Sequence, residues 1–186
     1  MPTLHLIRKS LGVLLCLLML APAALQAQTK EYQVKAAFLF NFAQFVDWPE
    51  NAFTNADEPF CIGVLGDDPF GAALEQIIQG ETIDGHKMTV QHSRLVVDLK
   101  NCQVVFVSKS EKGHIGEILP ELGSRPVLTV GDIPGFARGG GDINFFLEGN
   151  KVRFEINPNA AQANGLKISS QLLSLGKIVS GGKEGK

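Results

Sequence analysis

Histidine, cysteine and charge of one sign are all scarce in this chain, and each scarcity removes a class of function. Lys and Arg number 17 against 19 Asp and Glu, a balance that argues against nucleic acid, which requires a concentrated basic face. Beyond residue 27 the only histidines are His86, His92 and His114. None sits in an H-x-x-x-H pattern with a third ligand nearby. His86 and His92 share a face of an expected strand but stand too far apart to share a metal, so no metal site is expected. The chain lacks G-x-S-x-G, which would seat a nucleophilic serine between strand and helix. It also lacks the glycine patterns that cradle phosphates or dinucleotides. The run Gly139-Gly140-Gly141 precedes a strand rather than a helix and reads as a flexible lead-in to a hairpin. Asp67 and Asp68 are adjacent carboxylates, but Asp68 reads better as a helix cap. No catalytic residue and no cofactor is assigned.

Long apolar runs are also missing, except at the start. MPTLHLIRKS carries Arg8 and Lys9, LGVLLCLLMLAPAAL comes next, and LQA ends in a small residue. That order is expected of a secretory signal peptide over residues 1–27, cleaved after Ala27. Cys16 falls inside it and lacks the small residue that normally precedes a lipidated cysteine. Removing the segment takes away two basic residues and no acidic one, leaving 15 against 19 and a net charge of −4. The mature chain then divides into one domain over 28–180 and an expected disordered tail over 181–186.

Two cysteines remain in it, Cys61 and Cys102. An even count in an exported chain points to a disulfide. FCIGVLG and NCQVVFV are short apolar runs with cysteine second; as neighbouring parallel strands they would bring the two sulfurs within bonding reach.

EYQVKAAFLFNFAQFVDWPE places four phenylalanines in eight residues. At about 100° per residue, Gln33, Asn41, Gln44 and Asp47 form a polar stripe. Val34, Phe38, Phe42 and Phe45 lie opposite, which predicts an amphipathic helix ended by Trp48-Pro49. Lys35 falls on the apolar side, where its stem is expected to snorkel outward. Phe40 projects into the polar stripe.

Downstream, FCIGVLG, NCQVVFVS and PVLTVGD read as buried strands, with weaker strands at KMTVQH and RLVVDL. DDPFGAALEQIIQG reads as a helix with Asp68 as N-cap, Pro69 first and Gly80 last, and a second helix covers His114 to Leu122. Such alternation predicts an α/β fold, a single compact domain with a mostly parallel sheet, helices on both faces and a C-terminal β-hairpin. The hairpin is DINFFLEGNKVRFEI. A turn at Gly149-Asn150 pairs Glu148 with Lys151, Leu147 with Val152, Phe146 with Arg153, Phe145 with Phe154, Asn144 with Glu155 and Ile143 with Ile156. One face is then wholly apolar, and the other is polar except for Phe146. The remainder reads as a capped helix, a break at Gly165 and a final amphipathic helix.

A chain without its own chemistry is expected to bind. Phe40 and Phe146 are candidate anchors because interface energy concentrates on desolvated aromatic and arginine side chains; Arg153 and Glu155 share Phe146's face. The alternative reading is a small-ligand sensor, favoured by a pocket at the carboxyl ends of the parallel strands near Gly66-Asp67-Asp68 or Gly131-Asp132.

YQVKAAFLFNFAQFVDWP, CIGVLGDDPFG, PVLTVGD, INFFLEGNKVRFEIN and ANGLKISSQLLSLGKIV, in this order, resemble the YfiR family of periplasmic proteins. The resemblance implies a non-enzymatic periplasmic inhibitor, a compact α/β fold that readily dimerises, and a Cys61–Cys102 bridge. The implied partner is the periplasmic region of an inner-membrane diguanylate cyclase, restrained so that cyclic di-GMP synthesis and biofilm formation fall. An outer-membrane lipoprotein that sequesters the inhibitor is implied as a second partner. Some relatives carry a second bridge near the hairpin; Ala137 and Asn144 occupy that region here, so this chain departs from that pattern.

Overall fold

The computed structural model describes residues 28–123 and 125–181. The expected signal peptide and residues 182–186 of the expected tail lie outside the described residues. No helix among the described residues is long and apolar enough to cross a membrane.

Helix α1 spans 28–44. The strands are β1 (Val46–Asp47), β2 (Phe60–Leu65), β3 (Thr82–Ile83), β4 (His86–Ser93), β5 (Val104–Val107), β6 (Leu128–Gly131), β7 (Ile143–Glu148), β8 (Lys151–Ile156), β9 (Lys167–Ile168) and β10 (Lys177–Ile178). The other helices are α2 (Ala73–Ile78), α3 (Ile115–Leu122), α4 (Pro158–Ala163) and α5 (Ser170–Leu175). Eight strands form one sheet in the order β10-β8-β7-β6-β5-β2-β4-β3, while β1 and β9 pair separately. Pairing is parallel except at β3–β4 and the β7–β8 hairpin.

The period-2 alternation of the strands splits the interior into two layers. Phe60, Ile62, Val64, Val104 and Phe106 point into the larger core with Leu128, Val130 and the hairpin, under α1, α2, α4 and α5. Cys61, Leu65, Val105 and Val107 point the other way, under α3. This is the two-sided sheet the sequence predicts. The hairpin pairs in the register expected from its turn, rung for rung, with Gly149 taking the positive torsion at φ +60°.

Cys61 and Cys102 are joined, with Cα atoms 4.4 Å apart. A side chain on Gly63 would meet Leu99 and the Cys102 sulfur at 3.2–3.3 Å, so the bridge lies flat on the sheet.

Several local expectations differ. Helix α1 buries Tyr32, Lys35, Ala36, Leu39, Phe42 and Ala43; Val34 is instead 45% exposed, and Asp47 belongs to β1, paired with Lys167 of β9. The buried stripe is therefore turned toward Lys35, which does not snorkel: it is 2% exposed. Helix α2 starts at Ala73, not Pro69. Asp68 does not cap it, and instead its carboxylate accepts from the Phe70 amide at 2.8 Å in a local turn. RLVVDL gives a 3-10 turn at Val96–Leu99 rather than a strand, because only Leu99 of that turn is buried. The C-terminal segment folds as α4, capped by Asn157, then β9, α5 capped by Ser169, and β10.

The glycine run is not a loose lead-in. The Phe136 ring lies against Gly131 and Gly141, where an added Cβ would come within 2.8 Å and 2.2 Å of it. The Gly141 amide donates to the Phe136 carbonyl at 3.0 Å. Beside it, Asp142 accepts from the Thr129 amide and hydroxyl, both at 2.7 Å. Burial nevertheless pushes the Asp142 carboxyl up to about 7, against the lowering effect of those two bonds. Because this folded value lies above the unfolded carboxylate value of about 3.9, the folded state holds the extra proton between the two. The resulting stability is full below the unfolded value and is lost as pH rises through about 7. Thermal melts at about pH 5 and about pH 8 should show the chain more stable at the lower pH. Asp142→Asn should shrink that difference; an unchanged difference would place its origin elsewhere.

Candidate functional site

The N-terminal half of α1, the loops after β5 and β6, and the hairpin that projects beyond the ends of those strands enclose two open depressions. The first is a cleft of about 600 Å³ edged by charged side chains. Its centre is Asp132, the residue after the last of β6, where two hydrogen bonds and a further ion pair converge on one oxygen. Tyr32 Oη donates to Asp132 Oδ2 at 2.5 Å and Lys35 Nζ at 2.9 Å, while Lys109 Nζ lies 3.3 Å away. Lys35 also pairs with Glu31 and sits 4.3 Å above the Tyr32 ring. Burial, then the hydrogen bond to Asp132, raise the Tyr32 hydroxyl well above the ordinary tyrosine range, so Tyr32 is a fixed donor. Asp132 Oδ1 is buried without a hydrogen-bond partner among the described residues.

The outer wall repeats the arrangement. Glu155, 13% exposed, pairs with Arg138 at 3.6 Å and Lys177 at 3.5 Å. In both halves the acids are recessed and the cations Lys109, Arg138 and Lys177 face solvent. The cleft therefore presents positive charge from a nearly balanced set of groups.

The second depression is a groove of about 1000 Å³ between α1 and the hairpin tip. Phe38 packs on Phe145 and Phe154, and Phe42 does the same. Those contacts cover the hairpin's apolar face as far as its middle rung. The outer rung, Leu147 and Val152, lies beyond them in the groove, facing Val34 and Phe38.

The four binding candidates are not brought together. Phe146 is half-buried, with Lys177 Nζ 6.0 Å from its ring, and lines the cleft with Glu155. Arg153 lines the groove and pairs with Glu148 at 3.4 Å. Phe40 packs against the main core and lines neither depression. Sequence reasoning missed the Lys35–Asp132–Tyr32 cluster. Its one visible signal was a lysine on an apolar helix face, which calls for a buried acid partner.

At the other end of the sheet, His92 Nε2 lies 2.9 Å from Glu75 and His86 stacks on Phe53 at 3.8 Å between ring centres. No cluster among the described residues is arranged to hold a metal ion.

Comparison with known proteins gives a match to the family described as YfiR/HmsC-like over residues 32–177, from the first turns of α1 to β10. No curated protein matches. Among solved structures, a conserved domain protein from Vibrio cholerae O1 biovar El Tor is similar at 12% identity and a TM-score of 0.48. The similarity covers 64% of this chain and 54% of that one, so this chain spans about half the length of that relative.

Proposed function

Since the chain belongs to the YfiR/HmsC-like family, we propose that it is a periplasmic regulatory binding protein that represses a membrane-bound diguanylate cyclase by binding its periplasmic sensor region, and that it acts without catalysis of its own. The observation that carries this reading is the family match over nearly the whole folded unit. Homodimerisation and capture by an outer-membrane lipoprotein belong to the same proposal. The projecting hairpin is the proposed contact element, because it places Phe146 and Arg153 beyond the body of the sheet.

The test is a crosslinked pull-down of the tagged mature chain from its native envelope, with cyclic di-GMP measured in cells with and without the gene. The expected result is recovery of an inner-membrane protein with a cytoplasmic cyclase domain, and a rise in cyclic di-GMP on deletion. Unchanged cyclic di-GMP and no such protein would sink the proposal. Phe146→Glu should reduce capture several-fold at an unchanged melting temperature; a matching loss of stability would make Phe146 a packing residue instead.

One observation favours a second reading, a small-ligand sensor acting on a membrane partner. The cleft lies beyond the carboxyl ends of β5 and β6, beside Gly131-Asp132, where ligands bind in open α/β sheets. Its outward cations suit a small anion. Thermal shifts with nucleotides and amino acids test it: a rise of several degrees supports this reading, and no shift across the panel rejects it.

A further inference from the structure

The groove between α1 and the hairpin tip is apolar at its floor and basic at its rim. Val34 and Leu147, 45% and 51% exposed, are two of the six large apolar side chains left exposed among the described residues. They come from distant parts of the chain and meet here with Phe38 and Val152. Around them stand Lys30, Lys109, Lys151 and Arg153, with Glu31 the only acid of the lining among the described residues. Lys109 and Arg153 have acidic neighbours; Lys30 and Lys151 have no ion-pair partner among the described residues. A basic rim is notable on a chain whose acids outnumber its bases.

We infer that this groove receives an acidic amphipathic segment of the protein the chain regulates, its apolar side chains completing the half-covered Leu147–Val152 rung and its carboxylates meeting Lys30 and Lys151. The inference rests on the proposed function and adds the chemistry of the contact. The hairpin's apolar face has three rungs, Ile143–Ile156, Phe145–Phe154 and Leu147–Val152. Phe38 and Phe42 cover the middle one, while on the last Leu147 stays 51% exposed and Val152 is only partly buried. An inserted amphipathic helix would bury it, as in helix-in-groove recognition. Charge complementarity then selects an acidic partner. A second copy fits poorly: a two-fold interface would set this basic rim against itself.

The test places the photo-crosslinking residue p-benzoylphenylalanine at Leu147 in the full chain, in its native cells, and maps the crosslinked peptide by mass spectrometry. A second probe replaces Phe146, on the opposite face of the hairpin. The expected result is capture from position 147 of a segment rich in Asp and Glu with apolar residues at helical spacing, in the periplasmic region of the cyclase. That segment is then synthesised and titrated against the purified mature chain. Lys30→Glu/Lys151→Glu should weaken its binding about tenfold or more, and a peptide with its acids changed to Lys should recover the loss. Capture of the cyclase from position 146 alone overturns the groove while leaving the cyclase reading standing. Capture from position 147 of a second copy or of lipid overturns it also, as does capture of a segment without acids. No crosslink at either position overturns the groove, and the cyclase reading then stands or falls on the pull-down and the cyclic di-GMP measurement.

Discussion

Asp132→Ala lowers folding stability by about 3–5 kcal/mol, the cost of removing one partner from a buried ion pair. The carboxylate is the acceptor for Tyr32 and the counter-charge that Lys35 and Lys109 share. Without it the Lys109 ammonium, already half-exposed, moves into water. The Lys35 ammonium is 2% exposed and keeps only Glu31. Urea unfolding of the purified mature chain measures the loss. Asp132→Asn, which retains an acceptor for Tyr32, should fall between alanine and the native residue. Lys35→Met/Asp132→Ala should lose less than the two single changes summed, because neither charge is then stranded. A single Asp132→Ala change within about 0.5 kcal/mol of the native chain would mean that Lys35 finds its way to solvent, and that the cluster is not the centre of the cleft.

Reduction of the Cys61–Cys102 bridge is the second large effect. Opening a loop of 41 residues restores chain entropy to the unfolded state worth about 4 kcal/mol. In a chain of this size that corresponds to a fall in melting temperature of about 10 °C. The sulfurs lie in the smaller core with Leu65, Leu99 and Val105, so two free thiols would also crowd the space above Gly63. Cys61→Ala/Cys102→Ala removes the crowding and leaves the entropic loss. It should match the reduced protein or slightly exceed it in stability. A reductant that leaves the melt unchanged, with free thiols counted by alkylation, would show that the bridge contributes nothing to folding.

The parts of the fold that were legible in the sequence are those governed by neighbours along the chain. The hairpin is readable rung for rung because its turn and its period of two act within a dozen residues. Strands β2, β5 and β6 announce themselves as apolar runs bounded by turn residues. The orientation of α1 is not legible in the same way. Its helical period is plain, but its inward face is decided by Lys35 meeting Asp132, 97 residues away, and a hydrophobic count scores lysine as an outward residue. Asp68 misleads for a related reason: an aspartate before Pro69 caps a helix or closes a local turn equally well, and packing of Leu74 and Ile78 chooses the later start. The cleft is foreseeable in place, beside Gly131-Asp132, but not in composition, since its cations come from four separate segments. Phe40 is partly buried against the main core rather than standing free in the polar stripe, because an angular stripe drawn from polar residues does not register what packs beside it.

The Phe136 ring resting on Gly131 and Gly141 has a consequence for how this sequence can drift. Neither glycine can gain a methyl group while the ring is present, and the ring cannot shrink without opening a void that the glycines have no atoms to fill. The three positions thus hold a fixed volume between them, and change at one is tolerated only with an opposite change at another. Gly141→Ala paired with Phe136→Leu is the smallest such exchange. Gly131 at the end of β6 and Gly141 in the glycine run are thus tied by packing to an aromatic residue that neither of them adjoins in sequence.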